Sequence, residues 1–288
     1  MGAICTHADA WTEFWRDQRQ VSGCCANAPE ILTPIHDHWR AFASMLPAGS
    51  HVLDLGCGTG AAGRALVDVN PSLHVTGVDF ATLPATGDPR IDILANTRME
   101  SLPFADGSFA AAVSQFGFEY GSLKEASCEL ARALRPGAPI SFLVHHAQGR
   151  IVTDSIDHRS ALEAICGAEL EAAFQSGSSI ALDRQLGLIR HRYPHERIMD
   201  EAAEGLRRLI GLPPAHRAEI WQAVTVALAP ELVMLADLEA ASVSPEQMPC
   251  WLQSLAQRFE LQPPSVLMMT SGQPLCWQVK GHCRAILH

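Results

Sequence analysis

Apolar and polar residues alternate in blocks along the middle of the chain. Short apolar runs such as VLDLG, VTGVD and PISFLV are separated by segments with helical spacing, including AAGRALVDV and LKEASCELARAL. Short apolar runs bounded by turn residues predict buried strands, and a 3.6-residue spacing predicts amphipathic helices. Strands that alternate with helices form a parallel sheet with helices on both faces. The pattern therefore predicts an α/β fold with a doubly wound, mostly parallel sheet.

The same pattern divides the chain into four segments. Residues 1–46 contain helical stretches with aromatic residues, and residues 47–150 carry the alternating strands and helices. Residues 151–258 show mostly helical spacing, with a last helix through CWLQSLAQRF, and residues 259–288 end in two strand-like pieces around the turn SGQP. We therefore predict an N-terminal helical cap, a core domain, a helical insertion that acts as a substrate lid, and a C-terminal strand pair that completes the core sheet.

Charge and cysteine content narrow the class of partner. The 288 residues include 21 Lys and Arg against 31 Asp and Glu, a formal net charge of −10. This balance argues against general nucleic-acid binding, which requires basic surface. No apolar stretch is long enough to span a bilayer. The nine cysteines form no Cys-x-x-Cys pair and no secretory signal is evident, so we predict a cytoplasmic protein with reduced thiols and no membrane partner.

The stretch VLDLGCGTGAAG predicts a strand that turns tightly into a helix whose N-terminus faces a ligand. Gly56, Gly58 and Ala61 fit the spacing of a dinucleotide fingerprint. Asp54, however, precedes the turn, and its carboxylate would repel a pyrophosphate and favour a positively charged ligand. A second acid, Asp79, ends the next strand and suits the ribose hydroxyls of either ligand. A nucleoside-containing cofactor is predicted, and S-adenosylmethionine fits the charge better than a dinucleotide.

Four motifs occur in order between about residues 50 and 146: VLDLGCGTG, VTGVDF, RMESLPFADGSFAAAVS and ELARALRPGAPISFLV. Together they resemble the motifs of class I S-adenosylmethionine-dependent methyltransferases. The resemblance implies a mostly parallel, seven-stranded Rossmann-like sheet and transfer of a methyl group from S-adenosyl-L-methionine, with S-adenosyl-L-homocysteine as the product. A small-molecule acceptor is expected, because the helical insertion is large enough to close over one. The alternatives are a nicotinamide-dependent oxidoreductase and a non-catalytic S-adenosylmethionine-binding protein.

The resemblance also implies roles for single residues in cofactor binding. The implied cofactor-binding residues are Asp54, Gly56, Cys57, Gly58, Asp79, Phe80, Met99, Glu100 and Gln115. Asp54 and the backbone of the glycine turn would hold the methionine end, and Asp79 would hold the ribose. Phe80 would pack against the adenine, Met99 and Glu100 would lie at its edge, and Gln115 would line the sulfonium side.

Candidates for the chemistry follow the fourth and fifth predicted strands. Methyl transfer is a direct displacement that needs alignment, and a base helps when the acceptor must lose a proton. QFGFEYG offers Glu119 and Tyr120, and LVHHAQGR offers His145 and His146. Ligands bind at the carboxyl ends of strands in open sheets. We predict catalytic roles for Glu119, Tyr120 and His145, with His145 as the base, and a substrate contact for His146.

Two further stretches bear on the site. WTEFWRDQ has no strand to join and must cover an apolar surface, so Trp15 and Arg16 are predicted to contact substrate. His36, Asp37 and His38 are too close in sequence to share one helix face. We therefore predict no metal site.

Overall fold

The computed structural model describes residues 7–17, 28–83 and 87–285. These residues form two compact units. One contains Thr153–Glu239 together with residues 7–10, and the other contains Trp11–Val152 and the chain from Ala240 onward. None of the helices in the described part of the chain is long and apolar enough to cross a membrane.

Helices and strands alternate through the middle of the chain, as the hydrophobic pattern predicts. The α-helices are α1 (His7–Asp17), α2 (Pro29–Met45), α3 (Ala61–Val69), α4 (Leu123–Ala133), α5 (Arg150–Ile165), α6 (Ala168–Gln175), α7 (Ser179–Arg192), α8 (Ile198–Leu209), α9 (Pro214–Ala241) and α10 (Met248–Ala256), with a short 3-10 helix at Phe118–Tyr120. The strands are β1 (His51–Leu55), β2 (His74–Val78), β3 (Ile91–Leu94), β4 (Ala111–Gln115), β5 (Pro139–His145), β6 (Phe259–Leu261), β7 (Ser265–Met268) and β8 (Pro274–Cys283).

The strands form one mixed sheet in the order β3-β2-β1-β4-β5-β8-β6. β1 to β5 pair in parallel, and β8 pairs antiparallel with β5. β6 and β7 both pair antiparallel with β8, and β7 and β8 form the predicted C-terminal hairpin. The predicted doubly wound α/β fold is confirmed. Within the residues that the structure describes, the sheet has eight strands instead of the predicted seven, because the predicted last helix ends at Ala256 and Phe259 begins β6 with its side chain buried.

Side chains alternate between the two faces of the sheet, and each face has its own helices. Leu53 and Leu55 of β1 belong to a core cluster that includes Trp251 of α10 and residues of α4. Val52 belongs to the cluster on the other face, which includes Trp39 of α2 and residues of α3. The period-2 alternation of a strand produces this division, because successive side chains point to opposite faces. Helices therefore cover β1 on both faces of the sheet, and four of its five residues are buried.

The strand order reverses between β1 and β4. β2 and β3 lie on one side of β1, whereas β4 and β5 lie on the other. The chain therefore leaves the carboxyl ends of these two neighbouring strands in opposite directions and opens a crevice between them. Open α/β sheets bind their ligands at such a switch point. This position directs attention to the residues that follow Leu55 and Gln115.

The helical unit has a core of its own, formed by Phe174, Leu182 and Trp221 with their neighbours. Arg217 is buried in it and donates hydrogen bonds to the carbonyl oxygens of Gln175, at 2.7 Å, and Leu212. Gln175 is the last residue of α6. The guanidinium thus satisfies carbonyl groups where helices end.

The C-terminal limit of this unit differs from that of the predicted insertion. The insertion is predicted over 151–258, whereas the compact helical unit ends at Glu239. α10 belongs to the sheet-containing unit, where it packs against α4 and buries Trp251 and Leu255. Its apolar stripe is therefore part of the sheet's core. The lid function predicted for the insertion stays a prediction.

Candidate functional site

The glycine turn after β1 is the centre of the crevice. Gly56, Gly58 and Gly60 have φ angles of +62°, +49° and +84°, which L-residues rarely adopt. A Cβ on Gly56 would come within 2.7 Å of the Cα of Gly117, which follows β4. The loops after β1 and β4 thus touch through glycine backbone. A side chain at Gly56 or Gly117 would therefore push these two loops apart.

Asp54 places a buried carboxylate at the end of β1. The residue is 1% exposed, and neither carboxylate oxygen accepts a hydrogen bond of normal geometry from the described residues. Burial raises the pKa of the Asp54 carboxyl to about 7, which the backbone of Gly63 and the charge of Arg64 oppose only in part. Such a group is costly unless a positive charge joins it. The residue therefore fits the ammonium end of S-adenosylmethionine.

Asp79 connects the end of β2 to the glycine turn. Its Oδ2 accepts a hydrogen bond from the backbone N–H of Gly58 at 2.8 Å, and its Oδ1 accepts one from Ala81 at 2.9 Å. Burial raises the pKa of this carboxyl, and the two N–H donors oppose the rise. Each carboxylate oxygen can accept a second hydrogen bond. Asp79 therefore has the acceptor capacity that two ribose hydroxyls would need, and Phe80 follows it, half-buried.

A small cleft lies beside the glycine turn. It is lined by Trp11, Trp15, Asp54, Gly56, Cys57, Ala61, Ala62, Gln115 and Phe116. The structure thus brings Asp54, Gly56, Cys57 and Gln115 of the predicted cofactor site together with Trp15 of the predicted substrate site. Arg16 does not line this cleft, and its side chain is exposed.

Helix α1 supplies an aromatic wall to the cleft. Trp11 and Trp15 lie four positions apart, stack with their ring centroids 6.4 Å apart, and both meet the ring of Phe14 edge-on. A Cβ on Gly58 would come within 2.4 Å of Cζ2 of Trp15, so this ring rests on the glycine turn. Trp11 is not among the predicted site residues, although its i,i+4 spacing from Trp15 places both rings on one helix face.

Met99 and Glu100 lie against the loop that follows β4, and neither is among the residues that line the cleft. The side chain of Glu100 accepts a hydrogen bond from the backbone N–H of Ser122 at 2.8 Å. A Cβ on Gly121 would come within 2.6 Å of the Met99 sulfur. The two residues therefore help to hold this loop, and their predicted place at the adenine edge stays a prediction.

Glu119, Tyr120 and His145 come together at the ends of β4 and β5. Oε1 of Glu119 lies 2.9 Å from Nδ1 of His145 and also accepts the backbone N–H of His145 at 2.9 Å. Both side chains are buried, with exposed fractions of 1% for His145 and 0% for Glu119. The Tyr120 ring meets the His145 ring edge-on at 6.1 Å. The carboxylate and the imidazole are therefore neighbours in the buried interior, and the catalytic roles predicted for them stay predictions.

Phe116 connects this pair to the cleft. Its ring stacks on His145 with centroids 4.5 Å apart, and it also lines the cleft beside Gln115. Its φ of +56° is unusual for a residue with a side chain, and such conformations occur most often at functional sites. Phe116 is not among the predicted site residues either, because nothing in its apolar sequence surroundings distinguishes it from a strand residue.

His146 points to a different part of the sheet unit. Its ring stacks on Trp277 at 4.5 Å, and its Nδ1 accepts the backbone N–H of Gln148 at 3.0 Å. Burial lowers the pKa of His146, so the neutral ring is favoured. These contacts stabilise the turn after β5, and His146 does not line the cleft. Its predicted substrate contact stays a prediction.

No group of three or more His, Cys, Asp or Glu side chains within residues 7–17, 28–83 and 87–285 is arranged to hold a metal ion. His38 instead contacts the Oγ of Ser141 through Nε2 at 2.9 Å, and burial lowers its pKa to about 4. The histidine is therefore part of the packing between α2 and β5.

Comparisons with known proteins identify the fold around this crevice. Residues 52–137 match the family model described as a methyltransferase domain. Over 143 residues the chain is 33% identical to the Probable tRNA methyltransferase 9B of Mus musculus. This alignment covers 44% of this chain and 30% of the relative. Over 124 residues it is 32% identical to the demethylmenaquinone methyltransferase of Tropheryma whipplei (strain Twist). That alignment covers 37% of this chain and 48% of the relative.

The chain therefore spans less than half the length of these two curated relatives. Among solved structures, it resembles the methyltransferase solved in complex with the Haloferax volcanii Trm112 methyltransferase activator. The TM-score is 0.51 at 12% identity, over 99% of this chain and 100% of that chain. This likeness supports the fold.

Proposed function

We propose that this protein is a class I S-adenosylmethionine-dependent methyltransferase that transfers the methyl group to a small-molecule acceptor, because residues 52–137 match the family model described as a methyltransferase domain. The observation that carries the proposal is the buried carboxylate of Asp54, which lacks normal hydrogen bonds beside the glycine turn. The ammonium of the cofactor would stabilise this charge. A nicotinamide dinucleotide, the alternative from the glycine spacing, would bring its pyrophosphate towards the same carboxylate and be repelled.

The residues of the crevice suit the parts of the cofactor. Asp54 and the backbone from Gly56 to Gly58 would bind the amino-acid end, and Asp79 would accept hydrogen bonds from the ribose hydroxyls. Phe80, Met99 and Glu100 would contact the adenine. When bound, the cofactor supplies a methyl carbon activated by a positively charged sulfur. The chain's own task is to align the acceptor with that carbon and to exclude water.

His145 is the proposed base, and Glu119 would orient it. Because Nδ1 faces the Glu119 carboxylate, the proton from the acceptor would be taken at Nε2 of the same ring. The imidazolium formed in this way would be stabilised by the adjacent carboxylate. Tyr120 and Phe116 hold the ring from two sides. An acceptor with a hydroxyl or an ammonium group would need this proton transfer.

Charge supports a small acceptor over a nucleic acid. The formal net charge is −10, and the basic stretch LIRHRYPHER is partly neutralised. Arg190 in this stretch pairs with Asp200 and donates a hydrogen bond to the carbonyl oxygen of Glu196 at 3.1 Å. Phosphate contacts need unpaired basic groups. The relatives' names mention both a quinone and tRNA, so the experiment includes both acceptor classes.

A radiolabelled methyl-transfer assay tests the proposal. The full chain is incubated with methyl-labelled S-adenosylmethionine and, separately, with demethylmenaquinol, a panel of small phenols, amines and carboxylic acids, and bulk tRNA. We expect label in a small molecule, and a loss of that label in the Asp54→Ala variant. Transfer to tRNA alone would refute the small-molecule acceptor, and cofactor binding without transfer to any acceptor would favour a non-catalytic binding protein.

The role of the helical insertion can be tested without an assay for transfer. The substrate-lid function predicted for it implies slower amide hydrogen exchange within Thr153–Glu239 when both S-adenosylhomocysteine and the acceptor are present. Equal exchange with and without the ligands would contradict a lid that closes.

A further inference from the structure

Gln115 ends β4 at the switch point and faces α2. Ala111 and Val113 precede it at alternate positions, and both belong to the core cluster that contains Trp39. The pleat of the strand therefore directs Gln115 towards the same helix. Its carboxamide is half-buried and also lines the cleft that contains Asp54.

Trp39 determines which end of this carboxamide faces the cleft. The indole Nε1–H of Trp39 donates a hydrogen bond to Oε1 of Gln115 at 2.7 Å, across 76 positions of sequence. An indole N–H is a donor only, so it must meet the oxygen of a carboxamide and never the NH2 group. The NH2 group of Gln115 is then the end left for the cleft.

The donor of this hydrogen bond is firmly placed. Trp39 is completely buried, and its ring meets those of His38 and Phe42 edge-on. His38, the preceding residue, is itself held by Ser141 of β5. Two consecutive residues of α2 thus attach the helix to β4 and to β5. The carboxamide orientation is built into the fold and does not depend on a ligand.

The cleft therefore presents two groups of opposite character. Asp54 offers a carboxylate with unfilled hydrogen-bond capacity, and Gln115 offers an NH2 donor. An α-amino acid carries its ammonium and its carboxylate on one carbon, so a ligand that brings the ammonium to Asp54 also brings a carboxylate into the same cleft. A hydrogen bond to a charged acceptor is stronger than a neutral one.

We propose that Trp39 is a positioning residue for the amino-acid end of the cofactor: it orients Gln115 so that the NH2 group binds the α-carboxylate. This inference rests on the proposed function, because it takes S-adenosylmethionine as the ligand. It assigns a role to a residue of α2 that does not itself touch the ligand. Gln115 makes the contact, and Trp39 acts through it.

Calorimetric titration with two ligands separates this role from simple packing. S-adenosylhomocysteine carries the α-carboxylate, whereas 5′-methylthioadenosine keeps the adenosine and lacks the whole amino-acid end. The Trp39→Phe variant retains an aromatic ring and loses the N–H donor. We expect it to bind S-adenosylhomocysteine roughly tenfold more weakly and to bind 5′-methylthioadenosine as the wild type does.

Two further variants keep the test decisive. Gln115→Glu can still accept the Trp39 N–H but replaces the NH2 donor with a negative charge, so it should weaken only S-adenosylhomocysteine. In a Gln115→Leu background, Trp39→Phe should add no further loss. Ile31→Val, in the same helix and core cluster, is the packing control and should leave the ratio of the two dissociation constants unchanged.

Equal weakening of both ligands by Trp39→Phe would show a structural role and overturn the proposal. Unchanged binding of S-adenosylhomocysteine in Trp39→Phe or Gln115→Glu would overturn it as well. If the wild type binds 5′-methylthioadenosine but not S-adenosylhomocysteine, the amino-acid site is refuted while an adenosine site remains. If it binds neither ligand, the proposed function fails and this inference with it.

Discussion

At the scale of single residues, the buried carboxyl of Asp54 lowers the free energy of unfolding at neutral and higher pH. A carboxyl with an ordinary pKa of 3.8 is raised to about 7 by burial, so its charged form is disfavoured in the folded protein. The folded state therefore binds more protons than the unfolded state between these two values. Stability is lost as the pH rises from about 3.8 to about 7 and stays lower above that range. Functional sites often carry such a cost.

Asp54→Asn should accordingly stabilise the protein at pH 8 and weaken its ligand binding. The full pKa rise corresponds to about 4 kcal/mol, and we expect a gain on the order of 2 kcal/mol because the buried amide also lacks partners. Urea unfolding at pH 8 and pH 5 measures this, and the gain should be smaller at pH 5. Asp37→Asn, an exposed position, is the control. A destabilised Asp54→Asn at pH 8, or unchanged affinity for S-adenosylhomocysteine, would contradict the role given to Asp54.

The sequence predicts the acids of the site better than their partners. Asp54 and Asp79 end apolar runs beside glycine turns, and both lie at the crevice because the carboxyl ends of parallel strands meet at one edge. Trp39 could not be found in this way, since its partner Gln115 is 76 positions distant and only packing joins them. The conformation of Phe116 depends likewise on its stacking with His145.

At the scale of elements, helix starts show how local sequence and tertiary contacts compete. SLKE and SPEQ both have the spacing of a capping box. Ser244 and Gln247 make both hydrogen bonds of this motif in the turn just before α10: the Ser244 N–H donates to Oε1 of Gln247 at 2.9 Å, and the Gln247 N–H donates to Oγ of Ser244 at 3.4 Å. Ser122 forms no side-chain cap, because Glu100 accepts its backbone N–H at 2.8 Å. A distant residue replaces the local partner there.

These two serines therefore give a matched pair of variants. Ser244→Ala should destabilise the protein by about 1 kcal/mol, since it removes the hydroxyl that accepts the Gln247 N–H in the turn just before α10. Ser122→Ala should change stability by less than about 0.5 kcal/mol. Chemical denaturation measures both. Equal losses in the two variants, or a larger loss in Ser122→Ala, would contradict the assignment of the caps.

The sequence pattern predicts the end of a helix wrongly where a short strand follows that helix directly. The apolar spacing continues through CWLQSLAQRF, so it predicts a helix to Phe259. In the structure α10 ends at Ala256, and Phe259 pairs with Cys283 at the edge of β8. Three residues are too few to show a period of two. Pairing with β8, and not the local hydrophobic pattern, therefore determines that this segment is a strand.

At the scale of the whole molecule, each compact unit has its own source of stability. In the helical unit, His158 of α5 lies between two carboxylates, Glu196 at 2.7 Å and Glu231 at 3.1 Å. Hydrogen bonds to Glu231 and then Glu196 raise the pKa of His158 to about 9, against the effect of burial. The group therefore stabilises the unit fully below its unfolded pKa of 6.5, and this contribution is lost as the pH rises through about 9.

His158→Gln should remove that pH dependence. We expect the variant to lose about 1 kcal/mol at pH 6, a value that allows for screening of these partly exposed groups, and little at pH 10. Amide hydrogen exchange in α8 and α9 at both pH values measures the helical unit directly. His216→Gln, an exposed histidine of the same unit, is the control. A loss that is the same at both pH values would contradict the ion-pair account.

The division into units was only partly accessible from the sequence. Alternating strands and helices predict the sheet, and the change to helical spacing near residue 150 agrees with the start of the helical unit at Thr153. The spacing of α10 resembles that of the preceding helices, so it could not reveal that Trp251 is buried with the sheet. The order of the strands depends on which edges remain unpaired, which no single segment encodes.

The most direct test of the account is the dissociation constant of S-adenosylhomocysteine for the wild type and for Asp79→Ala, measured by calorimetry. Asp79 would lose a pair of charge-assisted hydrogen bonds to the ribose, so we expect the affinity to fall by about 2 kcal/mol or more. Asp92→Asn, an exposed acid on the neighbouring β3, should bind as the wild type does. Unchanged affinity in Asp79→Ala, or no binding by the wild type, would contradict a cofactor site at this crevice.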